Sequence, residues 1–134
     1  LINPFQFVTK GEMIKKCLDV EFLNKHYHQT MSCSHPDQGR WSGQQVGHCG
    51  ECLPCTIRRA SIKAAGLEDA SFYRHNYDTP EGKKLLKSYR LGIMTPKDSY
   101  AAIQMSGPLN DHYDEYADLY DRGLNELKNF IDSL

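Results

Sequence analysis

Cys49-Gly-Glu-Cys52-Leu-Pro-Cys55 sets three thiols at successive spacings of three, with Cys33 upstream across a loop. A Cys-x-x-Cys turn can direct two sulfurs at one ion. The third thiol follows where a helix begins, and Cys33 arrives from the far side of the loop. Four thiolates at about 2.3 Å satisfy tetrahedral zinc and close its shell against water, so the expected role is structural. The intervening stretch is rich in Gly, Ser, Gln and His. Metal gives such a loop a reason to be ordered, because ligand binding is folding free energy there. The same residues also read as free buried cysteines, as a redox pair or as ligands of an iron–sulfur cluster. His48 or His35 can stand in for Cys33 as fourth ligand. Cys17 falls on the apolar face of a predicted helix and reads as a small core residue.

A chain of 134 residues is one ordinary domain or a piece of a larger one. Sixteen Lys and Arg against 17 Asp and Glu give a formal net charge of −1, which offers no general reason to expect nucleic acid or a membrane surface as partner. The halves differ: residues 1–65 carry eight basic residues and five acids (+3), and residues 66–134 carry eight and twelve (−4). An anionic ligand therefore belongs with the first half. No run of 18 apolar residues predicts a membrane span, and the start lacks the basic and apolar regions of a secretory signal. Leu1 in place of Met predicts a fragment or a processed product. Five cysteines, odd in number and clustered, do not make a secreted disulfide framework; a reducing cytoplasm fits them.

Helical patterns dominate. Pro4 to Val8 is a short apolar stretch expected as a strand or extended lead-in. Thr9-Lys-Gly-Glu12 is a capping box, and Met13, Ile14, Cys17, Leu18, Phe22 and Leu23 predict one helix from about Lys10 to Lys25. Further helices are expected over Thr56–Ala65, closed by Gly66, from Thr79-Pro80 to about Tyr89, and from Thr95-Pro96-Lys97-Asp98 to about Met105. The last runs from about Asp111 to Ser133, with an apolar stripe of Tyr113, Tyr116, Tyr120, Leu124, Leu127, Ile131 and Leu134.

Three runs together resemble the C-terminal part of the QueC family of 7-cyano-7-deazaguanine synthases. They are Pro4-Phe-Gln-Phe-Val-Thr-Lys-Gly-Glu-Met-Ile14, Thr30-Met-Ser-Cys33 and His48-Cys-Gly-Glu-Cys-Leu-Pro-Cys-Thr-Ile-Arg-Arg59. The last run and its glycine-rich spacer look closest to the QueC-like proteins of Qat anti-phage systems. The resemblance covers about residues 2–66. It departs from the family in the longer spacer, Ser34 to His48, and in the lack of the family's Ser-Gly-Gly-x-Asp phosphate loop, which belongs upstream.

What the resemblance implies is the C-terminal portion of an α/β ATP-pyrophosphatase (adenine nucleotide alpha-hydrolase-like) fold, mainly α here, with a zinc-stapled loop. Residues 1–32 would end the ATP-pyrophosphatase domain and 33–66 form the zinc-binding loop and helix; 67–134 lie outside the resemblance and read from their own pattern as a helical extension. The family adenylates a carboxylate on a deazaguanine, releases pyrophosphate, and converts the acyl-adenylate with ammonia to amide and then nitrile. Zinc would be structural, with ATP and Mg²⁺ used by the complete enzyme and a missing N-terminal half as partner. Lys10 resembles a phosphate-facing lysine, and its bland reading is a solvated surface group. Arg58 or Arg59 would meet pyrophosphate or brace the metal loop, the alternative being a surface pair. Trp41 would stack on a base or fill a gap beside the metal. Left alone, residues 1–25 would self-associate. The competing class is a zinc-stapled helical interaction module with no catalysis of its own.

Overall fold

The structure, a computed structural model, describes residues 2–95 and 98–134, with the side chain of Ser42 left aside. It is mainly helical: α1 (Lys10–Lys15), α2 (Val20–His26), α3 (Leu53–Ala64), α4 (Pro80–Met94), α5 (Ser99–Met105) and α6 (Tyr113–Ile131), with 3₁₀ turns at Tyr27–Gln29 and Pro36–Ser42. Among the described residues, the only β-type pairing is a parallel bridge between His48 and Tyr73.

The capping box forms as the sequence predicts: the Thr9 hydroxyl accepts from the Glu12 amide, and the Glu12 carboxylate takes the Thr9 amide. The single helix expected over 10–25 does not form. Asp19 caps a second helix instead, its carboxylate accepting from the Phe22 amide at 2.8 Å, so α1 ends at Lys15 and α2 starts at Val20. The break turns the apolar pattern outward, leaving Leu18, Val20 and Phe22 exposed. Cys17 is only half-buried and its thiol donates to the Asp19 carbonyl at 3.3 Å, so it is not a core residue.

Pro4–Val8 is a pair of turns rather than a strand, with the Gln6 and Val8 amides on the Asn3 and Phe5 carbonyls. Phe7 packs 5.2 Å from the Tyr116 and His112 rings, which draws the segment onto the start of α6. Arg122 of α6 completes the join by pairing with Glu12 and donating to the Phe7 carbonyl at 2.9 Å.

α3 begins earlier than expected, at Leu53, since Pro54 suits a first turn that lacks partners for its amides. It ends as predicted. Gly66 sits at φ +77°, and the Gly66 and Leu67 amides return to the Lys63 and Ile62 carbonyls, a Schellman closure. α4 runs past Tyr89 to Met94 from its Thr79 cap. The cap of α5 is Asp98 and not Thr95; Pro96 and Lys97 lie outside the described residues.

The core is Ala60, Tyr77, Phe130 and Ile131, ringed by Leu86, Tyr89, Ile93 and Leu127. Burying side chains such as Phe130 and Ile131 contributes roughly 2 kcal/mol each. The stripe of α6 is used within the chain, although Tyr113 and Leu134 at its ends stay exposed and the buried Ala117 and Phe130 lie beside it. α3 is the pillar: α1 and α6 pack on it, and α4 and α5 lean on α6.

Candidate metal centre

Each thiol comes from a different local device. Cys33 lies in the extended stretch after the first 3₁₀ turn, Cys49 opens the turn that follows the bridge, Cys52 is the N-cap of α3, and Cys55 stands in its first turn. The four sulfurs lie within 4.8 Å of one another. Cys33 and Cys52 are 4.0 Å apart and Cys49 and Cys55 3.9 Å. That is about twice a disulfide bond. Two thiolates at about 2.3 Å on one tetrahedral zinc stand about 3.8 Å apart, so the spacing fits one ion held by all four.

The backbone treats these sulfurs as acceptors. The Cys33 sulfur receives the Cys49 amide at 3.2 Å and the His35 amide at 3.3 Å, and the Cys49 sulfur receives the Cys52 amide at 3.4 Å. Such donors favour the anionic, ligating form and fix its direction. Burial alone would raise the Cys52 thiol. The Ser34 and Cys55 amides aimed at it, with the neighbouring Cys55 and Cys49 thiols, bring it down to about 7. Burial pushes the Cys49 and Cys55 thiols up. A bound cation supplies what those two need to ionise, so the donor set suits a metal.

His48, weighed as a substitute ligand, is not among the four clustered donors. Its Nε2 is 3.1 Å from the Thr30 carbonyl and its Nδ1 3.9 Å from the Cys55 sulfur. Burial, then the nearby Arg58 charge, holds it below its ordinary range. His35 contributes backbone only: its amide to Cys33 and its carbonyl to Arg74. Trp41 is 94% exposed and so fills no gap beside the thiols.

The arginine pair is not a surface pair. Arg58 is buried. Its Nη1 donates to the Thr30 hydroxyl at 2.7 Å and the Ser32 hydroxyl at 3.4 Å, its Nη2 to the Tyr27 carbonyl at 2.7 Å and the Ser71 hydroxyl at 3.1 Å, and its Nε to Ser71 at 3.3 Å. It thereby ties the segment that leads into Cys33 to α3. Arg59 donates to the Gly50 carbonyl at 3.3 Å and to Asn76, with its guanidinium 5.0–5.4 Å from the rings of Tyr73, Tyr77 and Phe130. Of the roles open to the pair, bracing the loop is what these bonds do.

Lys10 is exposed on α1. It stands where two apolar cavities meet, one of about 300 Å³ between α1, α2 and α3 and one of about 280 Å³ between α3 and α6. Arg58 lines the first cavity with it. Tyr77, Tyr89 and Glu51 also shape the site and escaped the sequence reading. The signal for them was a tyrosine series at 73, 77 and 89 following the knuckle, with no spacing rule to assign it.

The fold and site define a small helical domain organised around a four-thiol knuckle able to hold a metal ion. Residues 1–66 match the family model described as queuosine biosynthesis protein QueC. It is 32% identical to the 7-cyano-7-deazaguanine synthase of Nitrosomonas eutropha over 71 residues, 53% of this chain and 27% of that one. To the synthase of Methanococcus aeolicus it is 34% identical over 68 residues, 51% and 25%. To that of Cupriavidus necator it is 38% identical over 72 residues, 53% and 27%. The chain thus spans about a quarter of the length of these relatives. No solved structure matches it significantly. No helix of the described residues is long and apolar enough to cross a membrane.

Proposed function

We propose that this chain is the C-terminal, zinc-bearing portion of a QueC-like ATP-dependent ligase. In that reading the complete protein adenylates a carboxylate, on 7-carboxy-7-deazaguanine or a related substrate, and carries the acyl-adenylate through amide to nitrile. The observation that carries it is the four-thiol cluster, set inside the segment shared with relatives named 7-cyano-7-deazaguanine synthase. Cys33, Cys49, Cys52 and Cys55 would hold one structural zinc, which when bound fixes the loop and supplies no reactive position.

Under this reading Lys10 faces phosphate from the mouth of the first cavity. Residues 1–32 close the ATP-pyrophosphatase domain, 33–66 are the zinc knuckle and its helix, and 67–134 an added helical unit. ATP and Mg²⁺ are held by an upstream half, since no Ser-Gly-Gly-x-Asp loop occurs in these residues. The exposed Leu18, Val20 and Phe22 are the face on which that half would dock, or through which two copies would pair. Membership of the Qat anti-phage branch and a place in the cytoplasm belong to the same proposal.

Mixing the chain with a separately produced upstream half, ATP and 7-carboxy-7-deazaguanine tests it. Pyrophosphate release by the mixture, and none by either part, is expected. Association without turnover would favour the interaction-module reading, and ATP turnover by this chain alone would overturn the proposal.

A further inference from the structure

Residues beyond 66 lie outside the matched family segment, yet part of them is built onto the knuckle. The Arg74 amide donates to the His48 carbonyl and the His75 amide to the Cys49 carbonyl, each at 3.1 Å. Gly50, at φ +91°, is pressed so close beneath them that a Cβ there would stand 2.1 Å from the His75 carbonyl oxygen. The Thr79 hydroxyl donates to the Glu51 carboxylate at 2.8 Å, and the Tyr89 hydroxyl to the Glu51 carbonyl at 3.1 Å. Tyr77 and Thr56 share a hydrogen bond of 2.7 Å, and Thr56 in turn donates to the Cys52 carbonyl at 3.0 Å. Every residue from His48 to Glu51 is therefore held or covered by one from 73 to 89.

The bonds from Arg74, His75 and Tyr89 land on the backbone of His48, Cys49 and Glu51, and Tyr77 reaches the Cys52 carbonyl through Thr56. Together they bear on the backbone that aims three of the four sulfurs. A turn fixed by metal presents its carbonyls in one direction; a turn without metal is a polar, glycine-containing loop with little else to order it. We propose that residues 73–89 are a clasp on the thiol knuckle, so that metal retention and docking of the C-terminal extension are one coupled event. The coupling is reciprocal: whatever the metal contributes to docking, docking contributes to holding the metal. It rests on the reading of the four thiols as a metal site.

The test uses the zinc-loaded full chain, challenged with excess EDTA while zinc loss is followed. Tyr77→Phe with Tyr89→Phe deletes two clasp bonds and keeps both rings. This variant is expected to release zinc about tenfold faster, the scale on which partners outside the ligand shell act. Tyr100→Phe, which removes only the bond to Asp114 between α5 and α6, should release at the wild-type rate. In the wild type, stripping zinc should speed amide exchange along Pro80–Met94, a measurement that needs no variant to fold. Zinc release within twofold of wild type while those amides exchange faster would overturn the clasp. Unchanged protection of 80–94 after zinc removal would overturn it too. A wild type that takes up no zinc sinks the metal reading as well, whereas full loading with uncoupled release sinks the clasp alone.

Discussion

Replacing Arg58 with Met removes the guanidinium while leaving most of the side-chain volume in place. Three of its bonds have good geometry: to the Thr30 hydroxyl and the Tyr27 carbonyl at 2.7 Å and to the Ser71 hydroxyl at 3.1 Å. Hydrogen bonds from a charged donor contribute about 1.5 kcal/mol or more each. Against this stands the desolvation that a buried cation no longer incurs, and the Tyr27 carbonyl keeps the Thr30 amide as a donor. The balance is a loss of about 3 kcal/mol. For a chain of this size that lowers the melting temperature by about 10 °C. Urea and thermal unfolding of the zinc-loaded protein measure it. A loss under about 1 kcal/mol would be no more than an ordinary surface substitution gives, and would refute bracing as what Arg58 does. A phosphate-contacting arginine would instead lower turnover of the reassembled enzyme and leave unfolding alone.

Lys10→Ala should show that opposite pattern: stability within about 0.5 kcal/mol of wild type, and turnover of the reassembled enzyme down on the order of 10²-fold. Cys52→Ser should drop zinc in elemental analysis well below one ion per chain. Trp41 fluorescence will barely respond, because that ring is already in solvent; amide exchange over residues 33–55 is the readout, and full zinc retention would count against the four-thiol shell. Gly50→Ala places a Cβ against the His75 carbonyl at a left-handed φ and should cost about 3 kcal/mol in urea unfolding; a neutral effect would mean the 73–75 segment does not sit there in solution. Glu12 is held below its ordinary 4.5, first by its hydrogen bond to Arg122. A depressed carboxylate contributes stability above 4.5 that disappears as pH falls through the lowered value, so Glu12→Gln should flatten the stability–pH slope below about 4.5, and an unchanged slope would discount that ion pair.

The clustering of the four thiols was legible in the sequence because it is largely local. Three thiols at spacings of three can reach one ion through a turn and a helix start, and only Cys33 had to be brought from afar. The Thr9 capping box, the Thr79 cap and the Gly66 closure were legible for the same reason, since each is decided within a few residues of chain. Periodicity misled at Asp19, where a side-chain cap beat a continuous apolar pattern and divided one expected helix into two. Packing decided the rest. Arg58 and Arg59 look alike in sequence, yet Arg58 stitches the segment before Cys33 to α3 while Arg59 lies among the rings of Tyr73, Tyr77 and Phe130. The Tyr77 and Tyr89 hydroxyls find partners 21 and 38 residues away, at Thr56 and Glu51. No short-range rule links such residues, because their meeting depends on how α4 and α6 close over α3, and that is fixed by the shape of the whole core.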